Sequence, residues 1–164
     1  MYELILASLL FLGMHWFVSG GSLRAPIVNI LGETLFKILF ALIITLSLVW
    51  MVTAFAAAPY YPTWGKAIEL KPLTILIMFA VCIMLPMSVM DKNPTVLGFL
   101  SPENVRIKGI LRITRHAGLI ALGLWGVAHF IVNGDWASHI VYGTIAFEGL
   151  IGPINLDRKY KARH

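Results

Sequence analysis

Five long apolar segments dominate the chain, and each is long enough, or nearly so, to cross a lipid bilayer as a helix. They cover residues 2–19, 36–58, 73–90, 116–132 and 139–154. A spanning helix needs about 20 apolar residues, and the last two segments reach that length only with flanking side chains that extend to the bilayer surface. Strands are not expected, because alternation is absent and an open sheet edge cannot face lipid. The sequence predicts an all-α, polytopic membrane helix bundle of about five transmembrane helices, forming one domain over residues 1–164.

Composition excludes an ordinary soluble domain. Of the 164 residues, 59% are hydrophobic and 13% are charged, against about 45–50% and about 25% in a typical soluble domain. The core of such a small domain could not bury this much apolar surface. Most of the apolar surface must therefore face lipid. The formal net charge of +5 comes from basic residues beside apolar segments, which favours contact with anionic lipid head groups over nucleic acid.

The distribution of these basic residues predicts the orientation, because cytoplasmic loops carry an excess of Lys and Arg. With the N-terminus outside, only Lys66 and Lys71 remain on the outer side. The other eleven of the thirteen basic residues fall on the cytoplasmic side with the C-terminus: Arg24, Lys37, Lys92, Arg106, Lys108, Arg112, Arg115, Arg158, Lys159, Lys161 and Arg163. The chain is therefore expected to be a multi-pass membrane protein whose C-terminus is cytoplasmic.

Two further features of the chain bear on processing and on its longest connection. The first apolar segment is expected to be a retained helix rather than a signal peptide, because its first charge is the acidic Glu3 and the sequence "VSGGSLR" follows it. In the connection 91–114, Ser101 and Pro102 predict the start of a basic helix lying on the inner leaflet, and a solvated loop is the alternative. Cys82 is the only cysteine, which rules out an intrachain disulfide.

Ionisable side chains inside a membrane are costly and therefore indicate function. The candidates are His15, His129, Glu148 and, at a segment border, His116. His116 and His129 lie thirteen residues apart, which is about 20 Å along a helix and about 220° around it. One metal ion cannot use both, so each needs a partner from another helix, and His15 is the obvious one.

The surroundings of these candidates leave several roles open. His15 belongs to a polar stripe that is expected to face protein or a ligand, with Ser8, Ser19 and Ser22. Gly126 lies one turn before His129, and small residues permit either close helix packing or room for a flat ring. Haem ligation, an interhelical hydrogen bond, another metal and proton transfer all remain possible for the histidines. Glu148, the only acid in the middle of a segment, either neutralises a histidine or arginine of a neighbouring helix or stays protonated through desolvation. Its role is either that of a hydrogen-bonded structural acid or that of a catalytic acid.

The sequence "NGD" (133–135) predicts a tight turn. Asn-Gly-Asp is strong turn chemistry, so it should end the fourth apolar segment and reverse the chain into the fifth.

Several motifs together resemble the NnrU family of bacterial membrane proteins, which is related to plant zeta-carotene isomerase. They are "HWFVSGGSLR" (15–24), "LGE" (31–33), "AAAP" (56–59), the block "RH…LW..AHF..NGD" (115–135) and "DRKYKAR" (157–163). The resemblance covers nearly the whole chain, and the Arg-His…His…Asn-Gly-Asp block is its most specific part. The family's Arg-His-Pro block is altered here, since Ala117 replaces the proline.

The resemblance implies a multi-pass inner-membrane protein with a haem b site, linked to denitrification and nitric oxide metabolism. Motif by motif, the iron ligands fall on His15 and His129, with His116 in a supporting role; the pair His15 and His116 is the alternative. Arg24 and Arg115 are the candidates to pair with haem propionates.

Two classes of function follow, and whether the protein is an enzyme stays open. The first is a haem b membrane protein with a redox or isomerase-like activity on a hydrophobic small molecule. The second is a non-catalytic accessory or assembly factor for a respiratory complex that reduces nitrogen oxides. A membrane methyltransferase is a more distant possibility, because the terminal acidic cofactor motif of that class is missing.

Overall fold

The computed structural model describes residues 1–19, 21–90 and 108–163, and six α-helices form within these ranges. No β-strand forms within these ranges, and the all-α prediction is confirmed. The predicted basic helix at Ser101 begins outside the described residues. The helices are α1 Tyr2–Gly13, which a π-helical segment Met14–Ser19 extends, α2 Arg24–Leu31, α3 Glu33–Ala56, α4 Lys71–Met90, α5 Ala117–Val132 and α6 Trp136–Arg163.

Three helical stretches are long and apolar enough to cross a membrane: Tyr2–Ser19, Glu33–Ala56 and Ile68–Met90. Less than a fifth of each is buried by the rest of the chain, so their apolar side chains point outward, as lipid requires. The helix α5 is also apolar but has only 16 residues. These features show a polytopic membrane bundle whose apolar helices face the surrounding bilayer.

The helix α6 lies at the centre of the bundle. It packs against α5 on one side and α1 on the other, while α4 packs on α5 and α3 on α1. Small residues bring α5 and α6 together: a Cβ on Gly126 would lie 2.6 Å from the Ala146 amide nitrogen and 2.8 Å from the Tyr142 carbonyl oxygen. Of the two uses that the sequence allowed for Gly126, the structure shows close helix packing.

The predicted turn at residues 133–135 is confirmed, and it defines what we term the Asp135 end of the bundle. Asn133 Nδ2 donates to the His129 carbonyl oxygen (2.8 Å) where α5 ends. Asp135 begins α6 by accepting hydrogen bonds from the amide (3.0 Å) and the hydroxyl (2.6 Å) of Ser138, as an N-capping residue does. The Gly134 carbonyl oxygen accepts a hydrogen bond from the Thr63 amide (2.8 Å), which ties the α3–α4 connection to this turn.

Other boundaries differ from the prediction. The second apolar segment was expected to begin at residue 36, but α3 begins at Glu33. Gly32, directly before it, has a φ of 77°, and this backbone angle separates α3 from α2. The last segment was expected to end at residue 154, but α6 continues through Pro153 to Arg163. We term the opposite end of the bundle, which this extension builds, the Asp157 end.

Ser8 and His15 of the predicted polar stripe both lie against protein, but they contact different helices. Ser8 is buried and lies against α6, whereas the His15 ring contacts Phe40 of α3. The segment Met14–Ser19 is π-helical, and its wider turn rotates later residues away from the positions that an α-helical period assigns them.

Candidate functional site

Three side chains meet at the Asp157 end, and we term them the Arg115–His116–Asp157 cluster. His116 Nε2 and Arg115 Nη2 each lie 2.6 Å from Asp157 Oδ1. A carboxylate can only accept hydrogen bonds, so the imidazole proton faces Asp157 and is carried by Nε2. The His116 side chain is buried, while those of Arg115 and Asp157 are each about 40% exposed.

Local structure explains how these residues meet. His116 directly precedes α5, and its amide donates to the Thr114 hydroxyl (3.1 Å). Asp157 comes from the part of α6 beyond Pro153. The sequence prediction included Arg115 and His116 but missed Asp157. The available signal was one acid within the otherwise basic tail "DRKYKAR".

The electrostatics of Asp157 follow from its neighbours. Partial burial alone would raise the pKa of this carboxyl, but the hydrogen bonds and charges of His116 and Arg115 outweigh that effect. The pKa of Asp157 is therefore held below its ordinary value. At neutral pH the carboxylate is ionised and orients both partners.

His116 Nδ1 is buried and has no hydrogen-bond partner among the described residues; in the neutral imidazole that donates from Nε2 to Asp157, this nitrogen carries the lone pair. A buried polar atom without a partner is rare and calls for a physical explanation. Metal-binding histidines present this arrangement: one ring nitrogen donates to a carboxylate and the other offers its lone pair. The ring of His116 is thus oriented as a ligand would be.

His15 lies elsewhere, in the π-helical segment. Its Nδ1 donates to the Phe11 carbonyl oxygen (2.9 Å), and its ring contacts Phe11 and Phe40. This hydrogen bond leaves the lone pair on Nε2, but the ring faces α3 rather than α5 or α6.

His129 is near the opposite end of the bundle. Its ring stacks on Tyr142 of α6, with centroids 4.9 Å apart, and also contacts Trp125. At 1.5 Å per residue, His129 lies about 5 Å from the Asp135 end and His15 about 20 Å from it.

These placements test how the histidines fit a haem. Within the described part of the chain, the rings of His15 and His129 share no ring neighbour, and the structure does not bring them to one site. The space beside Gly126 is filled by the α6 backbone. No three His, Cys, Asp or Glu side chains gather around a metal position in residues 1–19, 21–90 and 108–163. Ligation by His15 with His129 stays a prediction. Of the three histidines in these pairings, His116 is the one whose second ring nitrogen is buried without a partner among the described residues.

The remaining candidates have defined partners. Arg24 pairs with Glu33 (2.6 Å) and lies over the Phe36 ring, at the same end of the bundle as His116. Glu148 Oε2 accepts a hydrogen bond from Trp16 Nε1 (2.9 Å). Of the roles expected for Glu148, the structure shows the hydrogen-bonded acid, and its partner is an indole rather than a cation.

Comparison with known proteins identifies one family. The family model described as NnrU protein matches residues 3–164, which is essentially the whole chain. No curated protein and no solved structure matches it.

Proposed function

The chain belongs to the NnrU family, and on that premise we propose that it binds haem b through His116 and acts in bacterial nitrogen-oxide metabolism. The observation that carries this proposal is the His116 ring, which is buried, oriented by Asp157 and unpartnered at Nδ1 among the described residues. The link to nitrogen oxides rests on the family.

The protein's own contribution would be to position and tune the ligand. Asp157 holds the ring orientation and makes the imidazole a stronger electron donor, as carboxylate partners of metal-binding histidines do. Arg115 adjoins His116 and is the better propionate partner of the two candidate arginines, although Asp157 already accepts from its guanidinium. Bound there, haem would supply an iron centre for electron transfer or for binding a small diatomic molecule.

We expect His116→Ala to lose most of the haem from detergent-purified protein, because the substitution removes the nitrogen proposed to hold it. Asp157→Asn should retain haem with affinity weakened roughly 10- to 100-fold, the usual effect of losing such a supporting carboxylate. The measurement is haem per protein, from visible spectra of the oxidised and dithionite-reduced forms.

His129→Ala is the matched control, since it removes a histidine of α5 that stacks on Tyr142 at the other end. It should leave haem content unchanged. Loss of haem in His129→Ala and His15→Ala but not in His116→Ala would instead establish the pairing that the family resemblance implies. Wild-type protein without haem would contradict the proposal and favour a non-catalytic accessory factor.

We further propose five membrane spans, with the N-terminus outside and the C-terminus in the cytoplasm. Eleven of the thirteen basic residues then lie on the inner side, as the positive-inside rule requires. The helices α5 and α6 supply the two spans beyond the three long apolar stretches.

A reporter fused after His164 tests this orientation. We expect activity from a reporter that works only in the cytoplasm and none from one that works only in the periplasm. A second fusion, in the α3–α4 connection at Gly65, should show the opposite pattern. Periplasmic activity at His164 would overturn the orientation.

A further inference from the structure

A groove runs between α1 and α6 on the outward face of the bundle, and we term it the α1–α6 groove. Its volume is about 290 Å³, and its lining includes Ile5, Ser8 and Leu9 of α1 and His139, Thr144 and Phe147 of α6. Leu9 is 60% exposed and Phe147 46%, so the groove opens where lipid surrounds the protein. It lies in the half of the bundle nearer the Asp135 end, away from the Arg115–His116–Asp157 cluster.

The Ser8 hydroxyl is the first sign that this groove takes a ligand. Ser8 is only 4% exposed, and its Oγ has no hydrogen-bond partner among the described residues. Serine and threonine in helices commonly donate to a carbonyl oxygen one turn earlier, as Ser47, Ser88 and Thr144 all do here. The Ser8 hydroxyl is therefore left as a buried donor in an apolar setting, which is costly unless something else accepts from it.

His139 supplies the second sign. Its Nε2 is buried and also lacks a hydrogen-bond partner within the described residues. The ring is held between Trp64 and Phe130, with centroid distances of 4.2 and 4.4 Å. Ser8 and His139 thus line one apolar groove from different helices, and each carries a buried polar atom without a partner among the described residues. Sequence patterns did not single out His139, because it lies at a segment boundary where a histidine could be solvated.

The chemistry of the lining restricts the ligand. Among the described residues, no Asp, Glu, Lys or Arg lines the groove, so a charged lipid head group or a fatty-acid carboxylate would be buried there without a counter-ion. A pure hydrocarbon would leave both polar atoms unsatisfied. The volume is near the lower end for small-molecule sites, which suits a head group whose tail continues into the bilayer.

We propose that the α1–α6 groove binds a lipid-soluble quinone, whose head-group oxygens pair with Ser8 Oγ and His139 Nε2 and whose tail lies along Ile5 and Leu9. A quinone is uncharged and flat, and it carries carbonyl oxygens that accept hydrogen bonds. Phe147 offers an aromatic wall to the ring. This binding is independent of haem at His116.

The test is titration of detergent-purified protein with a ubiquinone analogue that bears a decyl tail. Quinones quench indole fluorescence, and Trp64 lies against His139, so saturable quenching is expected. Ser8→Ala and His139→Phe should each weaken binding roughly 3- to 10-fold, the equivalent of one lost hydrogen bond. Ser8→Ala should leave the fold intact, because that hydroxyl has no partner among the described residues.

Ser47→Ala is the matched control: Ser47 is a buried helical serine of α3 whose hydroxyl donates to Ile44, outside the groove. Its quinone affinity should equal that of the wild type. Unchanged affinity in Ser8→Ala and His139→Phe would overturn the proposal. Equal binding of decylbenzene, which lacks the carbonyls, would show an apolar surface only, and absence of saturable quenching would show a groove that holds only water or lipid chains. Either result would also overturn it.

Discussion

Gly149→Ala is expected to destabilise the bundle by about 1–3 kcal/mol, the usual cost of inserting a methyl group into closely packed structure. A Cβ at this position would overlap the backbone of Gly123 and the carbonyl oxygen of Leu119. Backbone atoms cannot rotate away as a side chain can, so α5 and α6 would have to separate. Because α6 packs against both α5 and α1, the separation would disturb the whole bundle. The measurement is the thermal midpoint of unfolding in detergent, which should fall by several degrees.

Gly143→Ala is the control for Gly149→Ala because it adds the same methyl group to the same helix. Its Cβ would lie 3.4 Å from the edge of the Phe130 ring, a contact that a small shift of a side chain relieves. Alanine also favours a helix over glycine by about 1 kcal/mol, so Gly143→Ala should be neutral or stabilising. Equal midpoints for Gly149→Ala and the wild type would contradict the close packing of α5 on α6.

Asp157→Asn is expected to destabilise the Asp157 end by about 1–2 kcal/mol, because a buried His116 loses its charged acceptor. This loss of stability is smaller than that for a fully buried ion pair, because Arg115 and Asp157 are each about 40% exposed and solvent screens their charges. Glu33→Gln is the matched control: it removes a carboxylate paired with Arg24 and Lys37 at an exposed position. That variant should change the unfolding midpoint little.

The effect of Asp157 should also depend on pH. Its folded-state pKa lies below the ordinary value of 3.8, so its stabilising contribution is present above that value and is lost as the pH falls through the folded-state pKa. The midpoints of the wild type and Asp157→Asn should therefore differ at pH 7 and converge below about pH 4. A difference that persists unchanged at pH 3 would mean that the cluster is held by packing rather than by the ionised carboxylate.

The sequence by itself determined the class of fold and several local features. Apolar segments of spanning length leave helices as the only way to satisfy the backbone in lipid, and the structure is all-α within its described residues. The turn at residues 133–135 was predictable because Asn, Gly and Asp each favour it locally. Gly126, which lacks a side chain, allowed either close helix contact or room for a flat ring, and only the structure shows the close contact. Each of these features depends on residues that are close together in the sequence.

Tertiary structure alone decided which side chains meet. A regular helical period placed Ser8 and His15 on one stripe, but α1 packs between α3 and α6, with Ser8 against α6 and the His15 ring against Phe40 of α3. Asp157 lies 41 residues after His116 in the sequence. It reaches His116 only because α6 continues past Pro153. Ser8 and His139 line the same groove only because α6 lies beside α1. Helix order and rotation set these contacts, and neither is encoded in the spacing of residues within a single segment.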